Sequence, residues 1–232
     1  KNPCLPILAI PTTSGTAAEV TINYVITDEN EDRKFVCVDP NNIPVAAFVD
    51  SDFMMDMPQS LAAATGMDAM THAIEGYITQ GAWEMSDMFH LKAIEKIGKS
   101  LKDSLEGNQE AREEMALAQY IAGMGFSNSG LGLVHGMAHP LSARYDIPHG
   151  VACAAFLPTV MRYNKDYTGE KYRDIARVLE VEDADTMSIE EVRKAAVGLK
   201  GYELTDFKMP LNDGKVSAVT ASLRQLKDIS ER

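Results

Sequence analysis

Thr65-Gly66-Met67-Asp68-Ala69-Met70-Thr71-His72-Ala73-Ile74-Glu75 lies inside a longer run, residues 60–79, that is rich in Ala, Met and Leu. These residues lose little freedom in a helix, and the run predicts one helix across 60–79. Asp68 and His72 stand four residues apart. On a helix they share one face, one above the other. A carboxylate oxygen and an imidazole nitrogen placed in this way can converge on one cation. A single such pair is also common as an ordinary helix surface pair, so its meaning depends on the rest of the chain.

Downstream, the pattern stays helical. Residues 86–104 are amphipathic, with Leu91, Ile94, Ile97 and Leu101 at helical spacing. Residues 108–127 read as a third helix, acidic at its start (Glu110, Glu113, Glu114), where the helix dipole favours negative charge. The glycines between 125 and 132 are read as its break. Further helices are predicted over 133–145, 149–163 and 169–179. Ser188, with Glu191 in capping-box spacing, opens a seventh. Helices apolar on several faces must pack around one core.

Upstream, the chain is richer in strands. Leu5 to Ile10 reads as a short buried strand ended by Pro11. Residues 23–27 and 34–38 read as a hairpin across the polar turn 28–33, and residues 46–49 as another short strand. Pro11-Thr12-Thr13-Ser14-Gly15-Thr16 carries four hydroxyls and a glycine. It is either a loop able to wrap a phosphate or polar ligand, or a plain turn capping a helix over 16–20. The expected fold class is mainly α: an all-helical bundle preceded by a short strand-containing segment.

Composition narrows the function. Of 232 residues, 45% are hydrophobic and 24% charged, which fits a chain with a core rather than wholesale disorder. A net charge of −12 disfavours nucleic acid and anionic lipid as partners. No apolar run reaches the ~20 residues that span a bilayer, and no secretory signal is recognisable, so a cytoplasmic location is expected. The cysteines Cys4, Cys37 and Cys153 form no CxxC pair, and their odd number argues against a disulfide framework. They are read as buried reduced thiols. The chain begins without Met, and its first apolar run looks internal, so a fragment of a longer protein is expected.

Four of the five histidines fall in two windows. Beyond His72, the second window is His135-Gly136-Met137-Ala138-His139-Pro140, followed after a loop by His149-Gly150. His135 and His139 share a helix face, and His149 stands at a helix start. Two or three imidazoles could thus meet the Asp68/His72 face. One carboxylate with three imidazoles suits Fe²⁺ or Zn²⁺ rather than Ca²⁺ or Mg²⁺. His90, on the amphipathic helix, is read as a core residue.

At these residues the chain resembles a known family. Residues 11–21, 64–75 and 132–141, with Pro148-His149-Gly150-Val151-Ala152 and Met161-Arg162-Tyr163-Asn164, are similar to the iron-containing (group III) alcohol dehydrogenases. The resemblance runs from about residue 3 to 195. It implies that Asp68, His72, His135 and His149 ligate one Fe²⁺, or Zn²⁺ in some members, and that His139 relays a proton or positions substrate. It implies that Thr12, Thr13, Gly15 and Thr16 form a loop against NAD, with Asn23, Val25 and Lys34 further cofactor-side positions. Phe126 and Leu131 fall where the family lines its substrate pocket. The implied activity is NAD(H)-linked interconversion of a short-chain aldehyde and alcohol, lactaldehyde and 1,2-propanediol favoured, by a homodimer.

The family also carries a Gly-Gly-Gly-Ser pyrophosphate loop ahead of the Pro11 segment, which this sequence lacks, and weaker cofactor affinity follows as an expectation. The expected organisation is a remnant of the α/β NAD-binding domain over 1–57, a helical metal-binding domain over 58–196 and an atypical C-terminal segment over 197–232. The alternative is a metal-binding helical domain without catalysis. Glycerol dehydrogenase and dehydroquinate synthase types fit the residues around Asp68 and His72 less well.

Overall fold

The computed structural model describes residues 4–31, 33–168 and 170–186. Helix α1 (Gln59–Ile78) is its axis: every residue from Ala62 to Tyr77 except Thr65 is buried. A helix buried around its whole circumference is surrounded by other elements, its few charged side chains included. Here α2 (Glu84–Leu105), α3 (Gln109–Ser129) and α5 (His149–Thr168) pack against it. Helix α4 (Leu133–Tyr145) leans on α5, and the amphipathic α6 (Lys171–Val178) packs on α2. Ile74, Ile94, Ile97, Met115, Leu157 and Met161 are fully buried in the shared core. Each contributes about 1.5–3 kcal/mol by leaving water.

Two expected boundaries move. Helix α3 runs through Gly125 to Ser129 and ends at Gly130, whose φ of 83° suits glycine. Gly125 is a packing residue: a Cβ there would strike His90, so its absence lets α2 and α3 close over that ring. Helix α5 continues past Tyr163 to Thr168, with Pro158 inside it. The seventh helix expected at Ser188 and Glu191, and the segment 197–232, lie outside the described residues.

The strand segment differs more. β1 (Leu8–Ala9) pairs in parallel with β4 (Ala46–Ala47), Leu8 opposite Ala46. β2 (Asn23–Asp28) and β3 (Arg33–Val38) form the expected antiparallel hairpin, with Asn23 opposite Val38. The buried strand expected from Leu5 to Ile10 is instead two residues long and open, with Leu5 86% and Leu8 67% exposed. Among the described residues β1 has one sheet neighbour, and so short a pair buries little on either face. Residues 18–20 form a turn and not a helix. Ala17, at φ 55°, is left-handed there.

Polar ties hold this segment to the bundle. The buried Arg112 of α3 donates from Nη1 to the Met54 carbonyl (2.6 Å) and from Nη2 to that of Met57 (3.2 Å). Gln119 Nε2 donates to Glu19 Oε1 at 2.5 Å, and the Ile22 amide to Ser127 Oγ at 3.1 Å. Gly15 lies flat on Thr65, where a Cβ would stand 2.7 Å from the threonine Cβ.

Candidate metal centre

Three helices converge on one point. From α1 come Asp68, His72 and Glu75, from the first turn of α4 comes His135, and His149 is the first residue of α5. The crossing of α5 on α1 depends on Gly150, where a Cβ would run into the Ala64 backbone carbonyl. That close approach brings His149 over Asp68. Asp68 Oδ1 stands 3.6 Å from both His135 Nε2 and His149 Nε2. His72 stacks on His135, ring centroids 4.4 Å apart, and on its other face against Phe126 at 4.3 Å. His139 stacks on His149 at 4.8 Å.

The donor atoms that lie within 4.8 Å of one another belong to Asp68, His135, His149 and Cys153. His72 adjoins this group through its stacking contact and through charge, its ring facing the Gly15 backbone. Cys153, one helical turn after His149 on α5, holds Sγ 3.6 Å from His149 Nε2. Of the three thiols expected to be buried, Cys153 is, Cys37 is half-buried and Cys4 is exposed, on a segment that packs little apolar surface.

Glu75 also escaped sequence reading. Its carboxylate accepts from the Val134 amide at 2.7 Å and the His135 amide at 3.2 Å, capping the N-terminus of α4. It also accepts from His135 Nδ1 at 2.7 Å. With the Nδ1 proton engaged by Glu75, His135 Nε2 is turned toward Asp68, as an acidic partner does for a metal-bound imidazole. The signal was available: a glutamate in an Ala- and Met-rich buried helix, on the Asp68/His72 face, needs a partner.

The electrostatics favour a positive charge at this point. Burial opposes the charged form of Asp68, yet His72, His135 and His149 outweigh it and hold the carboxyl well below the usual carboxylate range. Burial brings His72 down to about 3, against the pull of Asp68. Burial lowers His139 to about 4, with His149 and His135 adding to the effect. His149 is lowered for the same first reason. His135 goes the other way: burial opposes its charge, but Asp68, Cys153 and Glu75 raise it well above the ordinary value. Burial pushes the Cys153 thiol up to about 11. Asp68 Oδ1, His135 Nε2 and His72 Nδ1 are buried without a hydrogen-bond partner. Such atoms are costly unless something binds them. An N/O donor set with this need fits a borderline divalent cation.

A cleft of about 520 Å³ opens from these groups toward the hairpin. Its walls include Thr16, Asn23, Val25, Lys34, Phe126, Leu131 and His139 with Asp68, His72, His135 and His149. Most residues singled out from the sequence therefore share one cavity. Thr13 and Thr16 border a neighbouring cavity of about 370 Å³ beside β1. Gly15 is buried against Thr65, and Thr12 is exposed and borders neither cavity.

Comparison with known proteins bears on the family. A model for the iron-containing alcohol dehydrogenases matches residues 1–51, and a model for the C-terminal part of the Fe-containing alcohol dehydrogenase family matches residues 62–218. The chain belongs to this family. It is 68% identical to the lactaldehyde reductase of Escherichia coli K12 over 196 residues, covering 84% of this chain and 51% of that protein. Among solved structures it resembles the alcohol dehydrogenase from Oenococcus oeni, with TM-score 0.86 and 36% identity over 99% of this chain and 60% of that one. It also resembles the sulfoacetaldehyde reductase from Bifidobacterium kashiwanohense in complex with NAD⁺, with TM-score 0.76 and 30% identity over 94% and 58%. The chain spans about half the length of the curated relatives it matches. The family's helical part accounts for the mainly α fold. No described helix is long and apolar enough to cross a membrane.

Proposed function

We propose that this chain carries the cation and substrate site of an NAD(H)-linked oxidoreductase that interconverts a short-chain aldehyde and alcohol, with lactaldehyde and 1,2-propanediol as the favoured pair. One observation carries the reading: the buried, unpartnered Asp68 Oδ1 and His135 Nε2 meet His149 Nε2 at a cleft that His72 also lines. Asp68, His72, His135 and His149 would hold the Fe²⁺, or Zn²⁺ in its place. When bound, that ion supplies Lewis acidity toward an alcohol or aldehyde oxygen, and the nicotinamide supplies hydride chemistry.

The chain's own residues do the rest. His139, held mainly neutral near neutral pH, takes a proton from the reacting hydroxyl or returns one. Phe126 and Leu131 narrow the cleft and exclude water, which favours a short substrate. Glu75 keeps His135 in one tautomer. Thr12, Thr13, Gly15 and Thr16 form the loop toward the cofactor phosphates, and Asn23, Val25 and Lys34 line the cofactor side. The NAD⁺ complex of the Bifidobacterium reductase and the name of the Escherichia coli relative support the cofactor and the substrate. A homodimer, implied by family resemblance, belongs to the same reading and is checked by sedimentation.

The test is NADH-linked reduction of lactaldehyde by the iron-loaded chain and its His139→Ala variant. Turnover that falls in the variant, while bound iron is retained and the pH–rate profile changes, supports the roles given. Full activity at every pH in the variant removes His139 from proton transfer. Failure of the chain to bind NADH at millimolar concentration contradicts the cofactor assignment.

A further inference from the structure

We propose that Glu19 and Gln119 are a positioning pair: their buried hydrogen bond fixes residues 15–22 on α3 and so sets the wall of the cleft that meets the nicotinamide cofactor. This rests on the functional reading above, in which that loop faces NAD(H). Glu19 is 5% exposed and Gln119 is fully buried. Gln119 Nε2 donates to Glu19 Oε1, between residues 100 apart in the chain, while Gln119 Oε1 is buried without a partner. An orphaned amide oxygen costs stability that an apolar side chain at 119 would not. Such a pair serves placement rather than stability.

The pair belongs to a stripe of contacts along α3. Gln119, Gly123 and Ser127 are spaced four apart and share one helix face. Gly123 admits the turn: a Cβ there would stand 2.4 Å from Ala17 Cβ and 2.6 Å from Val20 Cγ1. Ser127 Oγ accepts from the Ile22 amide at 3.1 Å. Ala17, at φ 55°, is left-handed, a conformation that a residue with a Cβ keeps where its surroundings impose it. The Val20 amide closes the turn on the Ala17 carbonyl at 3.1 Å. On its other side the loop rests on α1, with Gly15 against Thr65.

What the stripe holds is part of the site. Thr16, Ala18 and Thr21 line the cleft beside Asn23. Phe126, next to Ser127 on α3, stacks on His72 and lines the same cleft. One helix therefore sets the spacing between the loop wall and the aromatic wall. A loop already held in place loses less freedom when a ligand binds. Releasing the pair weakens cofactor binding and leaves the cation donors of α1, α4 and α5 where they are.

The test compares the iron-loaded full chain with Glu19→Ala, Glu19→Gln and Gly123→Ala. NADH affinity is read by fluorescence titration, loop anchoring by amide hydrogen exchange, and the cation site by bound iron. Glu19→Gln keeps an oxygen that accepts from Gln119, and is expected to match the parent. Glu19→Ala removes the acceptor and Gly123→Ala pushes the turn off α3. Both should bind NADH about tenfold more weakly, with faster exchange confined to residues 12–23 and iron retained. A parent that binds NADH while Glu19→Ala and Gly123→Ala match it overturns the proposal and leaves the functional reading standing. Faster exchange spread through α1 and α3, with iron lost, makes the pair a general stability element and also overturns it. A parent that binds no NADH at millimolar concentration contradicts the functional reading. The exchange measurement then decides the placement by itself, and unchanged exchange at 12–23 in Glu19→Ala overturns that as well.

Discussion

The helical bundle and the strand segment before it bury their apolar residues to very different extents. In the bundle, α1 is enclosed on all sides, and residues such as Ile74, Ile94 and Ile97 are inaccessible. In the strand segment, Leu5, Leu8, Val36, Val38, Val45 and Phe48 are more than half exposed. Folding free energy from apolar burial is therefore concentrated in the helices. The segment is held by a few polar ties, chiefly Arg112 to the Met54 and Met57 carbonyls and Gln119 to Glu19. The cation donors all come from the well-packed region, while the cleft they face is completed by Thr16, Asn23, Val25 and Lys34 from the other. A rigid floor under a lightly anchored wall suits a site that must hold an ion in fixed geometry and still admit larger ligands.

This contrast can be broken from the helical side first. Gly150→Ala should be the most damaging single change, because its Cβ collides with the Ala64 backbone where α5 crosses α1. A loss of about 3 kcal/mol in denaturant unfolding is expected, with reduced metal binding as His149 moves off Asp68. Unchanged stability would show that the two helices can separate without cost.

His90 tests the bundle through pH. Burial, with Lys171 adding to it, lowers His90 to about 4 from an ordinary 6.5. The folded chain thus keeps the neutral ring, and the unfolded chain takes up the proton first. Its contribution is intact above about pH 6.5 and declines as pH falls toward 4, by on the order of 3 kcal/mol in total. Comparing unfolding of the parent and His90→Gln from pH 7.5 to 4 should reveal a shallower pH slope in the variant. Parallel slopes would mean that His90 titrates as it does in water.

Glu75→Gln reaches the site without removing a donor. The amide cannot accept from both the α4 amides and His135 Nδ1 as the carboxylate does. Metal affinity should drop about tenfold to a hundredfold, or roughly 1.4–2.7 kcal/mol. Equal affinity in competition with a chromophoric chelator would leave Glu75 a helix cap only. The smallest effects belong to the strand segment: Leu8→Thr and Val36→Thr should each change stability by less than about 0.5 kcal/mol. A larger loss in either would show that these side chains pack more closely than their exposure indicates.

Much of the helical part could be read from the sequence, because its apolar spacing and its burial report the same packing. Residues 60–79 predicted α1 to within a residue at each end, and 133–145 coincide with α4. The misreadings share a feature: local preference alone does not settle the outcome at these residues. Gly125 reads as a break, yet it accommodates His90 inside a continuing helix. Pro158 sits within α5, which runs on past the expected end at Tyr163. The run from Leu5 to Ile10 is apolar enough for a buried strand, but burial depends on what lies across from it, and sequence periodicity is silent on that. In the site, Asp68, His135 and His149 meet as their spacing suggested, and His72 stacks alongside. Glu75 and Cys153 were missed because each takes its role from a different helix or from the far side of the cluster, not from a motif of its own.

Metal stoichiometry tests the central claim most directly: side chains from α1, α4 and α5 together hold one cation. The chain is loaded anaerobically with Fe²⁺, desalted and analysed for bound iron beside its Asp68→Ala and His149→Ala variants, with helical content checked for each. The account predicts one ion per parent chain and loss of bound iron in both variants while the helices remain. Undiminished iron in both variants would contradict it.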